Sequence, residues 1–338
     1  MVAEPDLADP RWFPADYDAG SGRFRFVHVE LSDLGDAPFL DRRLAIDWAH
    51  GFDVAVRDLP DHVDAHASFL FHTAFCGSTL LARALHAPPR AVSLKEPLAL
   101  HALAMARLKA RTAQELGEVA AALPRYLALV SRPWAEGGRV LIKPANQANG
   151  LLDSILSAQP RARAVLLYSS LRSFMVSCFK KLPDSEQRIR WMAQALLRDT
   201  QLSRRLGIEP GGAFNLVESC ALAWYAQMER YALALDADTD DRLRTLDFDE
   251  VLAAPSDRVR DCAGWLQLAD EGLDERVPRV FSRHSKGSSA AYDSEERDRE
   301  NARVLDAFGE TIDRAVDWAE GSIGPAALMP RWKPLHSG

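Results

Sequence analysis

The segment Ser68-Phe-Leu-Phe-His-Thr-Ala-Phe-Cys-Gly-Ser-Thr-Leu-Leu-Ala-Arg-Ala-Leu85 constrains the fold more than any other part of the chain. An apolar strand runs into a turn of small and hydroxyl residues and then directly into a helix. In that arrangement the amide N–H groups of the turn and of the first helical turn point one way without intrahelical partners, backed by the positive end of the helix dipole. Such a turn cradles an anion, phosphate above all. A buried strand followed by a tight turn on Gly77 accounts for the same residues without any ligand. The placement of Gly77-Ser78-Thr79 at the start of the helix favours the cradle.

Laid against the P-loop pattern G-x-x-x-x-G-K-[ST], residues 72–79 keep Gly77 and the hydroxyl of Thr79 but carry His72 for the first glycine and Ser78 for the lysine. That lysine neutralises the β and γ phosphates of a nucleoside triphosphate, so its loss disfavours an ordinary magnesium-dependent ATPase or GTPase. A thiol at this turn, Cys76, opens the alternative of a cysteine hydrolase. A phosphatase-like loop calls for an arginine within the cradle, however, and the first one comes only at Arg83.

The 338 residues accommodate one large α/β domain or two small ones, and few stretches read as linkers, which favours one. A 47% hydrophobic and 26% charged composition is that of a globular protein. The net charge of -7 argues against a nucleic-acid polymer as partner. Cys76, Cys178, Cys220 and Cys262 form no C-x-x-C pair and read as reduced thiols of an intracellular protein. The acidic N-terminus lacks the apolar stretch of a signal peptide, and no apolar run approaches the ~20 residues of a membrane span. The expected compartment is therefore the cytoplasm, with no membrane partner.

Residues 1–65 read as an N-terminal arm and small decoration: an Asp/Ala/Pro-rich irregular stretch to about Gly20, pinned by Trp12 and Phe13, then a strand or hairpin at Arg23–Glu30 and a short helix or turn at Phe39–Leu44. From residue 66 to 338 strands alternate with helices. Strands are expected at 69–72, 91–94, 139–142, 163–168 and 242–248. Helices are expected at 79–85, 151–158, 170–181, 186–206, 215–235, 256–268 and 294–320, with Ala/Leu-rich helices, more than one, from 98 to about 131. Such alternation predicts a parallel sheet covered on both faces.

Ligands of an open parallel sheet bind where strands end and helices begin. The polar groups at those places are Thr73–Thr79, Lys95-Glu96-Pro97, Lys143-Pro-Ala-Asn-Gln147 and Ser169-Ser-Leu-Arg172 with Ser173 and Ser177, and a later loop, Arg283–Ser289, adds cations and hydroxyls. Lys143 could supply the missing loop charge if its strand neighbours the first. Glu96 is the first choice of general base, although a glutamate beside a proline at a helix start is common for dipole reasons alone. His72 and His284 are fallback bases, His72 being the one more readily explained as a core residue.

These residues resemble the sulfotransferases, which move a sulfuryl group from 3′-phosphoadenosine 5′-phosphosulfate (PAPS). Phe75-Cys-Gly-Ser-Thr79 is similar to the K-S-G-T-T of that family's 5′-phosphosulfate loop, and Ser169-Ser-Leu-Arg-Ser-Phe-Met-Val-Ser177 to its R-x-P-x-x-x-x-x-S segment for the 3′-phosphate. Thr245–Pro255 is similar to the family's late acidic-Leu-Pro landmark, and Ser285-Lys-Gly287 to its R-K-G loop. The resemblance spans roughly residues 66 to 292. It implies a three-layer, P-loop NTPase-like α/β fold with helical insertions and a PAPS-dependent transferase acting on a hydroxyl or amine of a small-molecule or glycan-like acceptor. It also implies that Phe75, Cys76, Gly77, Ser78, Thr79, Ser169, Arg172, Ser177, Lys286 and Gly287 hold the nucleotide, and that Glu96, Lys143 and His284 serve the chemistry without a metal. Two departures stand out. The loop lysine is Phe75 here, and the 3′-phosphate arginine is Ser169. They keep open two alternatives, a nucleotide-dependent kinase and a degenerate P-loop protein that binds a nucleotide without catalysis.

Overall fold

The computed structural model describes residues 6–35, 37–60, 65–282 and 294–335. Strands β1 (Trp12–Asp18) and β2 (Arg23–His28), the short helix α1 (Leu31–Gly35) and strand β3 (Phe52–Ala55) come first, and the three strands form an antiparallel sheet in the order β1-β2-β3. The alternating part then runs β4 (Ala67–His72), α2 (Ser78–Ala84), β5 (Ala91–Lys95), α3 (Leu98–Lys109), α4 (Ala113–Val130), β6 (Arg139–Lys143), α5 (Leu152–Ala158), β7 (Ala164–Tyr168) and α6 (Leu171–Phe179). After it come α7 (Glu186–Arg198), α8 (Leu202–Leu206), α9 (Leu216–Ala237), β8 (Leu243–Asp247), α10 (Phe248–Ala253), α11 (Pro255–Trp265), α12 (Leu273–Phe281) and α13 (Ser294–Ser322).

The five strands β5-β6-β4-β7-β8 pair in that order, all parallel. Period-two alternation along β4 explains the three layers. Phe69 and Phe71 join a core with α3, α4, α6, α7 and α9, whereas Leu70 joins a second core with α2, α11 and α12 on the opposite face. All six residues of β4 are buried, as a strand covered on both faces requires. The expected alternation is thus borne out, and β6 lies beside β4 as the Lys143 argument needed.

Three expectations need correction. Residues 12–18 are not part of an irregular arm: they form β1, whose register shifts between Pro14 and Asp16. The small sheet also shares the main core, with Phe24 stacked on Tyr126 of α4 at 5.6 Å. The helix expected over 186–206 divides into α7 and α8, and at the break the Gln201 N–H donates to the Glu229 carboxylate at 2.9 Å instead of to a carbonyl one turn back. Helices α10 and α12 escaped the sequence reading, α10 because it follows β8 with no intervening turn residue and α12 because Pro278 reads as a breaker within it. Among the described residues, no helix is long and apolar enough to cross a membrane.

Candidate functional site

A cavity of about 870 Å³ opens at the C-terminal ends of the parallel strands. The β4–α2 turn forms its floor. Ala74 (φ 60°), Phe75 (φ 53°) and Gly77 (φ 68°) all take the left-handed conformation, which disfavours each non-glycine residue by about 1–2 kcal/mol. His72 helps to hold that shape: its Nδ1 accepts from the Ala74 N–H at 3.1 Å, which leaves Nε2 to donate to the Pro144 carbonyl at 3.0 Å. Gly77 is required twice over, by its φ and because a Cβ there would lie 1.9 Å from the ring of Phe248. As a result the amides of Phe75, Gly77 and Thr79 have no hydrogen-bond partner among the described residues. The buried Ser78 and Thr79 also line the cavity.

Glu96 stands at the end of β5, also with positive φ (50°), its N–H donating to the Lys143 carbonyl at 2.7 Å. Its carboxylate accepts from Lys143 Nζ and lies 3.7 Å from His72 Nε2. The Lys143 side chain is fully buried, whereas that of Glu96 is 27% exposed and faces the cavity. Lys143 therefore does not reach the cavity to replace the missing loop lysine, as the sequence suggested. It sits behind Glu96 and orients it. Burial there is tolerable because the ammonium has a carboxylate partner.

At the end of β7, Ser169 is buried and its hydroxyl has no partner among the described residues. Ser170 caps α6 by accepting from the Ser173 N–H at 3.1 Å, and the Ser173 hydroxyl donates to Asp249 at 3.1 Å. Ser177 lines the same wall. Arg172 also faces the cavity, with its Nε donating to Asp313 of α13 at 2.8 Å. Cys76 is fully buried, and burial pushes its thiol above the usual value, which argues against a thiolate nucleophile and the cysteine hydrolase. His284, Lys286 and Gly287 lie outside the described residues.

The sequence reading missed two cations. The ammonium of Lys181 lies 3.9 Å from the centre of the Phe75 ring, and the guanidinium of Arg188 lies 5.7 Å from it. Lys181 sits in the α6–α7 connection and Arg188 in the first turns of α7, places that follow no strand, so neither was a candidate. Helix α3 presents Leu98, His101, Met105 and Lys109 to the cavity at helical spacing, opposite Trp191 and Met192 of α7. Burial pushes His101 below its usual value, and its Nδ1 has no partner among the described residues.

Solved structures similar to this chain include the sulfotransferase domain from the curacin biosynthetic pathway, at 12% identity and a TM-score of 0.44, over 73% of this chain and 99% of that one. A sulfotransferase from Alicyclobacillus acidocaldarius is similar at 16% identity and a TM-score of 0.39, over 77% and 96%. One from Mycobacterium avium is similar at 14% identity and a TM-score of 0.40, over 77% and 78%. All three are sulfotransferases. No protein-family model and no curated protein matches the chain. Likeness this loose carries no weight for function, which has to be read from the residues of the cavity.

Proposed function

We propose that this protein transfers a sulfuryl group from PAPS to a hydroxyl or amine of a small-molecule or glycan-like acceptor. The observation that carries the reading is one cavity joining a cation-backed carboxylate, Glu96, to a turn whose amides lack partners among the described residues. The fit to a nucleotide donor is supported by Ser169, a buried hydroxyl without a partner among the described residues, at the segment where the resemblance puts the 3′-phosphate. The amides of Phe75, Cys76, Gly77 and Thr79 and the hydroxyls of Ser78 and Thr79 would hold the 5′-phosphate. Ser169 and Ser177, with Arg172 released from Asp313, would hold the 3′-phosphate. The resemblance adds Lys286 and Gly287 as nucleotide contacts and His284 as a reserve base.

When bound, PAPS supplies a sulfur whose bond to the bridging phosphate oxygen breaks as a bond to the acceptor oxygen or nitrogen forms, leaving adenosine 3′,5′-bisphosphate. Glu96 takes the proton the acceptor loses, and Lys143 keeps the carboxylate aimed at the cavity. His72 fixes the turn and so the direction of its amides. The wall of Leu98, Met105, Trp191 and Met192 would offer the acceptor a largely apolar surface.

An assay with ³⁵S-labelled PAPS and a panel of phenols, alcohols, amines and oligosaccharides tests the proposal. Label transfer by the wild type and its loss in Glu96→Gln, with bisphosphate binding retained, is the expected result. Equal transfer by both would remove Glu96 from the mechanism.

A further inference from the structure

We propose that the acceptor is an anionic amphiphile, a molecule whose hydroxyl or amine and whose acid group stand roughly 10–15 Å apart across an apolar body, and that Lys109 binds the acid group. This substrate class rests on the transferase reading above and belongs to the same cavity. The sheet order separates the two substrates. The donor segments follow β4 and β7, which are neighbours, whereas Glu96 follows β5, the edge strand on the opposite side of β4 from β7. The acceptor therefore lies toward that edge, against helix α3, which starts just after Glu96 and Pro97.

Along α3, Leu98, His101, Met105 and Lys109 recur at three- and four-residue intervals, so one stripe runs from the carboxylate to the last residue of the helix, and all four line the cavity. From Leu98 to Lys109 the axis rises about 16 Å, and a helical side chain leans back toward the N-terminus, which brings the ammonium to roughly 10–15 Å from Glu96. His101 lies between the two charges and feels both: burial lowers it most, the Glu96 carboxylate opposes that, and the Lys109 ammonium, two turns further on, adds to it. The facing wall suits an apolar body. Trp191 lines the cavity yet remains 38% exposed, and beside it the Met192 sulfur accepts from the Asn146 amide at 3.2 Å. The two walls are tied at their far ends, because Arg107 of α3 is ion-paired with Asp199, the residue that ends α7.

Charge sets the orientation. The acids on this side of the cavity are engaged, Glu96 by Lys143 and Asp41 by Arg43, whose Nε donates to it at 2.9 Å. Lys109 has no acid partner among the described residues. An acid group at the reactive end of the acceptor would be repelled by the Glu96 carboxylate, whereas at the far end it meets the Lys109 ammonium. One end of α3 thus admits the nucleophile and the other the anion, with the apolar stripe and Trp191 between them.

Transfer of ³⁵S label from PAPS to ω-hydroxydecanoic acid, to its methyl ester and to the shorter ω-hydroxyhexanoic acid tests this on wild type, Lys109→Met, Lys109→Arg, Lys109→Glu and Trp191→Ala, each checked for cooperative melting, with neutral phenols, alcohols and sugars as further acceptors. The wild type is expected to prefer the longer acid over its ester and over the shorter acid by roughly tenfold in kcat/KM, the effect of one charge-assisted contact, with the difference lying in KM. Lys109→Met is expected to bring the acid down to the level of the ester, Lys109→Arg to keep the preference and Lys109→Glu to reverse it. Trp191→Ala is expected to raise KM for acid and ester alike. Equal transfer to acid and ester by the wild type, transfer to the neutral acceptors alone, or an acid preference that survives in a folded Lys109→Met overturns the proposal and leaves the transferase reading in place. No transfer to any acceptor overturns both.

Discussion

Lys95 and Lys143 are register partners on neighbouring strands, one ending β5 and the other β6, and both are fully buried. They differ in what receives the ammonium. Lys95 donates to the carbonyls of Leu34 at 2.8 Å and Gly35 at 2.9 Å, so it closes the C-terminal end of α1 and ties the N-terminal unit to the main sheet. Lys143 donates to Glu96, whose carboxylate opens on the cavity. Two adjacent lysines of equal burial thus hold different partners, the carbonyls at a helix end in one case and a carboxylate open to the cavity in the other. Burial alone does not separate these roles; the partner does.

The largest test of that contrast is Glu96→Gln, which keeps the shape but removes the proton acceptor. Turnover of labelled PAPS should fall by about 10²- to 10⁴-fold, with melting and bisphosphate affinity close to wild type. Lys143→Met should come next. It leaves Glu96 in place but unsupported, so turnover should fall by roughly tenfold or more through misplacement of the carboxylate, and Lys143→Arg should rescue less than its charge would suggest. Binding of the bisphosphate should hardly change, because Lys143 does not face the cavity.

Lys95→Met should reverse the pattern. Two helix-end carbonyls lose their donor, at roughly 1–3 kcal/mol of stability, read as a lower urea midpoint, while turnover stays within a small factor of wild type. A loss of activity in the Lys95 variant equal to that in the Lys143 variant would break the comparison.

The smallest effect concerns His86, which belongs to the Lys95 side. Its Nδ1 accepts from the Ser93 N–H at 3.0 Å, and burial, then the charges of Lys95 and Arg276, push it down to about 3. Its ordinary value is about 6.5, so the unfolded chain takes up the proton first. The stability tied to neutral His86 is complete above about pH 6.5 and is lost as the pH falls from there toward about 3, at no more than ~1.4 kcal/mol per pH unit. Urea unfolding at pH 7, 6 and 5 should show that slope, and His86→Asn should flatten it.

Much of the architecture was legible because a strand buried on both faces is an apolar run, and β4, β5, β6 and β7 are such runs bounded by polar strand ends. β1 was not legible, since Pro14, Asp16 and Asp18 look like loop residues until their pairing with β2 is seen. In the site, Glu96 and the turn were legible because they directly follow strands. The direction of Lys143 was not, because a lysine at a strand end can turn to the cavity or to a neighbouring carboxylate with the same sequence. Lys181 and Arg188 were hidden for a different reason: they meet Phe75 only through the packing of α6 and α7, about a hundred residues further along the chain.

The most direct test of the account is calorimetric titration of the wild-type protein with adenosine 3′,5′-bisphosphate in the absence of metal, alongside ATP with magnesium. Saturable binding of the bisphosphate, undiminished by a metal chelator, is the predicted result. Silence toward the bisphosphate together with magnesium-dependent binding of ATP would contradict the account and make the protein a nucleotide-dependent kinase instead.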